Sequence, residues 1–278
     1  VTPRPLDPIL QHLRRAPSRS GSIVVTIYGD AIAPRGGSLW LGTLLALFAA
    51  LDIGEGVVRT AVSRLAADGW LARNRVGRNS FYRLGPKGSA VFAAAAARIY
   101  DPHPTEGEGV RLVLPGNGAR ADLLAAGYGT AAPGVLVAPG DAIVPEAGNA
   151  IVLHATGTPE ALHRLVRQAW PLDRLADSYR RFTAAFAPLR DPAGWAPLEA
   201  LLARILLVHE YRRIVLRDPL LPAALLPPDW PGAAARALCA GLYPALLDAS
   251  EAWLDAHAVA ETGPLPPAGA ALRARFRA

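Results

Sequence analysis

The chain has 278 residues with 29 Lys and Arg against 23 Asp and Glu, long enough for two or three domains with cores of their own. Its single cysteine, Cys239, excludes an intrachain disulfide framework and a thiolate zinc site, and no run approaches the roughly 18 apolar residues of a membrane span. The net charge of +6 is uneven: residues 1–100 hold 13 Lys and Arg against 5 Asp and Glu, the other 178 hold 16 against 18, and basicity confined to one region is the footprint of attraction to phosphate.

Arg-rich composition alone explains why Lys87 is the only lysine, but it does not explain that asymmetry. The start, VTPRPLDPILQHLRR, carries Pro and charge where a signal peptide needs an apolar core, so a cytoplasmic protein is expected. Residues 1–20 read as a leader with one short helix at about 9–15. From Ser22, IVVTIYGDAI is helix-compatible and leads into a turn at Pro34-Arg35-Gly36-Gly37. SLWLGTLLALFAALDI reads as the next helix, with Ser38 as its N-cap and Trp40, Leu44, Leu47, Phe48 and Leu51 facing a core.

The stretch from Gly54 to Leu84 is the most informative. Val58, Ala61, Val62 and Leu65 recur at helical spacing, while Arg59, Thr60, Ser63 and Arg64 fall outside that apolar face. Asp68-Gly69 ends this helix. Trp70-Leu71 and Ser80-Phe81-Tyr82 then read as strands around a turn at Gly77. Arg73, Arg75, Arg78 and Arg83 lie on that hairpin with no acidic residue between them. A helix followed by a basic hairpin predicts a winged helix-turn-helix over 21–100, closed by a helix at about 86–99 with Pro86 in its first turn. Arg59, Thr60 and Ser63 are expected to approach base edges or nearby phosphates, with Arg64 on the same DNA-binding surface. Arg73, Arg75, Arg78 and Asn79 are expected to contact mostly the phosphates of double-stranded DNA, and Tyr82 is expected to belong to the same DNA-binding surface.

Asp101 to Gly107 is a linker by composition. Over 108–171, RLVLP, GVLVAP and AIVLHATG read as strands. ADLLAAG and PEALHRLVRQAW read as helices, the second with Thr158 as cap, predicting a ferredoxin-like middle domain. Gly116-Asn117-Gly118-Ala119-Arg120-Ala121, with Asp141 beyond it, imitates a dinucleotide fingerprint, but too few strands follow for a Rossmann sheet. Residues 172–262 carry three helical stretches between Pro-rich breaks and predict an all-α domain, with 263–278 as a frayed tail. The chain is thus expected to be a multidomain α+β protein.

His209-Glu210-Tyr211-Arg212-Arg213 begins like a zinc-protease motif but has Arg where the second ligand should stand. His209, Arg212, Arg213 and Arg217 read either as ion-pairing residues or as an anion-binding surface for a ligand's phosphates or carboxylate. No catalytic residue, metal or cofactor is expected. The alternative class is an enzyme built on a nucleotide-binding or nuclease-like middle domain.

Three stretches, SIVVTIYGDAIAPRGGSLWLGTLLALFAALDIGEGVVRTAVSRLAADGWL, RVGRNSFYRLGPKG with RIY, and LLVHEYRRIVLRDPLLPAALLPPDWPG, resemble the PaaX family of phenylacetic acid degradation repressors. The resemblance covers nearly the whole chain. It implies a winged helix with its recognition helix at about 55–67 and its wing at about 72–84. It also implies a middle domain like the small CRISPR-associated nuclease fold and an all-α C-terminal domain. Family members usually open the middle domain with a tryptophan-containing strand, which Pro104 to Gly109 replaces here. The implied function is a homodimeric repressor of an aromatic-acid catabolic operon, released from operator DNA by phenylacetyl-CoA or another acyl-CoA.

Overall fold

The computed structural model describes residues 6–15, 19–101, 109–116, 118–140, 149–189 and 194–277. Most of the expected linker, together with Asn117 and Asp141, lies outside them. The chain divides into two compact units. One comprises Val1–Asp101, Phe182–Arg212 and Ala234–Ala278; the other comprises Pro102–Arg181 and Arg213–Ala233. Among the described residues no helix is long and apolar enough to cross a membrane.

The first unit opens with α1 (Asp7–Arg15) and α2 (Ser20–Ile27), the latter continuing as a π-helical turn at Tyr28–Ile32 and a 3-10 turn at Ala33–Arg35. Then come β1 (Leu39–Trp40), α3 (Leu41–Ala49), α4 (Glu55–Ala67), β2 (Leu71–Val76), β3 (Asn79–Leu84) and α5 (Pro86–Tyr100). Ser38 is not the cap of α3. Leu39 and Trp40 are drawn into sheet pairing with Tyr82 and Phe81, so the helix starts at Leu41 and Ser38 donates its hydroxyl to Glu261 at 3.1 Å. The small sheet has the order β1-β3-β2 and is antiparallel throughout.

In the second unit, β4 (Val110–Leu114), α6 (Arg120–Ala125), β5 (Gly129–Ala132), β6 (Val135–Pro139) and β7 (Ile151–Ala155) are followed by α7 (Pro159–Ala169). The sheet order is β5-β6-β4-β7 with every neighbouring pair antiparallel. A ferredoxin-like chain places its second helix before its last strand; here α7 follows β7. Thr158 caps α7 as its spacing suggests, accepting from the Ala161 amide at 3.4 Å. Val113, Leu123, Tyr128, Leu136 and Ala138 form the core. At the end of α7 the Trp170 indole donates to Gly127 O at 3.0 Å.

Three long helices follow: α8 (Leu172–Phe186), α9 (Pro197–Val215) and α10 (Gly232–His257). After them come β8 (Val259–Ala260), β9 (Gly263–Pro264) and α11 (Ala270–Arg273). The stretch 172–262 is not a unit of its own: 182–212 and 234–262 belong with the N-terminal hundred residues. The reason is a buried ionic cluster built from distant parts of the chain. Asp30, on the π-turn, accepts Arg204 Nε from α9 at 2.8 Å and Arg275 Nη1 at 2.9 Å. The hydroxyls of Tyr100 and Tyr243 donate to the same carboxylate at 2.9 and 3.0 Å. Arg204 also bonds Glu251 of α10, which takes Arg35 at 2.8 Å; Arg35 further reaches Asp255 and the carbonyl of Pro266.

Burial opposes the charge on Arg204, but Asp30, Tyr243 and Glu251 outweigh it and raise its pKa further. Burial first, and Asp30 second, push the Tyr100 phenol well above its ordinary range. The C-terminal residues are consequently tied down rather than frayed. Phe276 is buried, its ring 5.3 Å from that of Tyr100 and 5.2 Å from that of Tyr243, beside the Arg275 that closes the cluster.

Candidate nucleic-acid interface

Helix α4 starts from Gly54 in an extended conformation and buries Val58 and Val62 against the first unit, which fixes its roll. The side turned away carries Gly56, Thr60, Ser63 and Arg64, all exposed, with Val57 and Arg59 at its margins. Arg59 Nη2 sits 3.2 Å from Glu55 Oε2, one helical turn earlier. Thr60 donates its hydroxyl back to Gly56 O at 2.8 Å, which uses its one hydroxyl proton and leaves the oxygen able to accept.

The hairpin pairs Val76 with Asn79 across Gly77 and Arg78, and Gly77 takes a φ of 59°, the left-handed region open to glycine. Arg73, Arg75, Arg78, Asn79 and Arg83 are exposed. Arg73 Nη2 donates to Ser80 Oγ at 2.9 Å and Arg75 Nε to Gly77 O at 3.1 Å, so both guanidiniums are steadied on the hairpin by neutral acceptors. Their remaining donors are available to phosphate. Tyr82 departs from expectation. It lies opposite Leu39 on one side and Arg73 on the other and is only 6% exposed, so the sheet holds it as core and not as a contact residue.

Two residues the sequence reading passed over belong to this surface. A cleft of about 710 Å³ opens between the start of α2 and the outer side of α4, and Arg19, Gly21, Gly56, Val57 and Arg64 are among its lining residues. Val57 was legible by spacing, standing three residues before Thr60 and seven before Arg64. Arg19 was not, because its proximity to α4 depends on how α2 packs.

The four residues of the possible anion surface are handled differently. His209 Nδ1 is 2.9 Å from Thr26 Oγ1, and Arg212 donates to Thr26 Oγ1 at 2.8 Å and to the Ser22 carbonyl and hydroxyl at 2.9 and 2.7 Å. These two bind α9 to α2 within the first unit. Arg213 and Arg217 belong to the second unit.

Comparison with known proteins identifies the family. A family model described as PaaX-like protein matches residues 19–88, and one described as PaaX-like protein C-terminal domain matches 170–256. Transcriptional repressor PaaX of Escherichia coli (strain K12) is 35% identical over 298 aligned positions, covering 98% of this chain and 94% of that protein. Among solved structures, the uncharacterized protein Rv0674 from Mycobacterium tuberculosis is similar with a TM-score of 0.50 and 26% identity, over 76% of this chain and 89% of that one. The chain belongs to the PaaX family.

Proposed function

We propose that this protein is a DNA-binding transcriptional repressor of an aromatic-acid (phenylacetate-type) catabolic operon, released from its operator by an arylacetyl-CoA such as phenylacetyl-CoA. The observation that carries the DNA reading is the shared exposure of α4 and the arginine hairpin next to it in the chain. The order α2, β1, α3, α4, β2, β3 with sheet order β1-β3-β2 supports a winged helix, its recognition helix being α4 and its wing the β2–β3 hairpin. The repressor relative supports the regulatory role. The protein acts as a homodimer, so two α4 helices would meet two half-sites about one helical turn of DNA apart.

Fluorescence anisotropy on the DNA upstream of its own gene, at fixed salt, tests the reading. Tight, sequence-selective binding is expected, abolished by phenylacetyl-CoA and not by phenylacetate or CoA alone. Arg59→Ala weakens operator binding and blurs its preference, because a base-edge contact carries sequence information. Absence of any selective binding by the wild type overturns the DNA reading. Selective binding indifferent to acyl-CoA thioesters removes the effector alone. His209, Arg212, Arg213 and Arg217 are the candidates for thioester binding, and calorimetry on the Arg212→Ala/Arg213→Ala double variant tests the central pair; affinity unchanged from wild type assigns Arg212 and Arg213 to structure.

A further inference from the structure

We infer that Val57 is a base-reading residue that packs against the 5-methyl group of a thymine in the operator, with Arg19 and Arg64 holding the flanking backbone. The inference rests on the DNA reading of α4 and adds a specificity determinant to it.

Three features of the first turn of α4 point there. Val57 is 55% exposed on a helix whose other valines, Val58 and Val62, are buried. A β-branched side chain is a mediocre helix former, and here it gains no burial in return. Its neighbour Gly56 lies in the same turn, yet a Cβ built there meets nothing within 4 Å and the backbone is not left-handed. Contrast Gly88, whose Cβ would stand 2.3 Å from Trp70 O: the fold requires that glycine and does not require Gly56. A glycine that the fold does not need, in a helical turn where alanine is favoured, leaves the backbone bare on the side where a partner arrives. The third feature is charge. The cleft that Val57 helps to line includes the apolar Gly21, Ala61 and Leu65, and its charged lining is two cations, Arg19 and Arg64, against one carboxylate, Asp68.

An apolar spot flanked by guanidiniums matches a DNA strand better than another protein surface. The N-terminal residues of a recognition helix meet base edges, and in the major groove the apolar group on a base edge is the thymine methyl. Glu55, the acidic residue of that turn, is paired with Arg59 and so presents less charge toward phosphate.

The test is a scan of the operator in which each thymine is replaced singly by deoxyuridine, which keeps the base pair and removes only the methyl. The wild type is expected to lose about fourfold in affinity at one thymine per half-site, the worth of one buried methyl group. Val57→Ala should bind more weakly and become indifferent to the methyl at that same position, while its thermal midpoint stays the same or rises slightly, since alanine is the better helix former. Gly56→Ala should bind more weakly while melting at a higher temperature, which separates loss of approach from loss of fold. If the wild type binds the operator selectively but no thymine loses its methyl sensitivity in Val57→Ala, the inference is overturned and the DNA reading stands. A change of oligomeric state in Val57→Ala, with DNA affinity intact, assigns the residue to a protein contact instead. If the wild type shows no selective binding, both fall together.

Discussion

Two groups of arginines in the first unit have the same chemistry and opposite fates. Arg35 and Arg204 are fully buried and bonded to Glu251, with Arg204 also on Asp30. Arg73, Arg75 and Arg78 stand exposed on the hairpin, where the first two hold neutral acceptors at 2.9 and 3.1 Å. A desolvated guanidinium must be surrounded by acceptors, and the cluster supplies them: Arg204 alone uses Asp30 Oδ2, the Asp30 carbonyl, Ser250 Oγ and Glu251. A solvated guanidinium keeps its water until a phosphate displaces it. Charge counting treats both groups alike. The N-terminal excess survives this sorting because Arg35 and Asp30 leave the surface as a cation and an anion. The comparison teaches that burial, and not the number of arginines, separates those that hold the fold from those able to meet DNA.

The sharpest way to break that contrast is to remove a buried member. Arg204→Ala leaves Asp30 and Glu251 without one of their main counter-charges in a site that water does not reach. Stability is expected to fall by about 3–5 kcal/mol, the cost of stranding a buried charge. Urea denaturation followed by circular dichroism measures it. A loss below about 1 kcal/mol would mean that solvent enters the cluster and that the two groups of arginines are not different in kind.

None of this cluster was legible in the sequence. Asp30, Arg204, Glu251 and Arg275 are separated by up to 245 positions, and no periodicity links them. Local signals fared differently. The apolar spacing of Val58 and Val62 marks α4, Gly77 marks the turn of the hairpin, and Thr158 marks the start of α7; each depends on residues within one or two turns of chain. Strand β1 was missed because Leu39 and Trp40 continue an apolar helical pattern and become strand only by pairing with β3. Tyr82 was misplaced for a similar reason: which face of a two-residue alternation turns inward is decided by β1, not by the hairpin. The tail carries buried Leu272 and Phe276, yet its composition resembles a disordered end.

A subtler test of the buried group uses its phenols. Burial, with Asp30 adding to it, raises Tyr100 and Tyr243 above the ordinary tyrosine pKa of about 10. A raised folded-state pKa means that both states are protonated below about pH 10, where the full stability is present. Above that, the unfolded chain loses phenolic protons first, so stability falls as pH rises toward the folded-state values. Each such tyrosine contributes a slope of up to about 1.4 kcal/mol per pH unit. Unfolding free energies between about pH 9 and 11 should therefore fall less steeply in Tyr100→Phe than in wild type, whatever the offset from the lost hydrogen bond to Asp30. Parallel curves would show that Tyr100 ionises freely and that the cluster is not sealed.

The exposed group should give the smallest stability change and the largest change in salt response. Arg73→Ala removes a bond to Ser80 Oγ, and Arg75→Ala removes one to the Gly77 carbonyl. Both bonds are exposed and can be replaced by water, so each substitution should alter stability by no more than about 0.5 kcal/mol. Arg78→Ala, at the turn itself, should do the same. On DNA the expectation reverses. A guanidinium that neutralises one phosphate releases about 0.9 of a counterion, so each loss should flatten the dependence of log affinity on log salt by about one unit, on specific and random duplexes alike. That uniformity distinguishes the hairpin from α4, where Arg59→Ala should alter preference among sequences. The bonds at Arg73 and Arg75 sharpen the test. A side chain already steadied gives up less rotational freedom on meeting phosphate, so at fixed salt the loss of either of these two should cost more affinity than the loss of Arg78. If the slope is unmoved in all three variants, the hairpin does not touch DNA, and the cationic surface must be read from α4 and Arg19 alone.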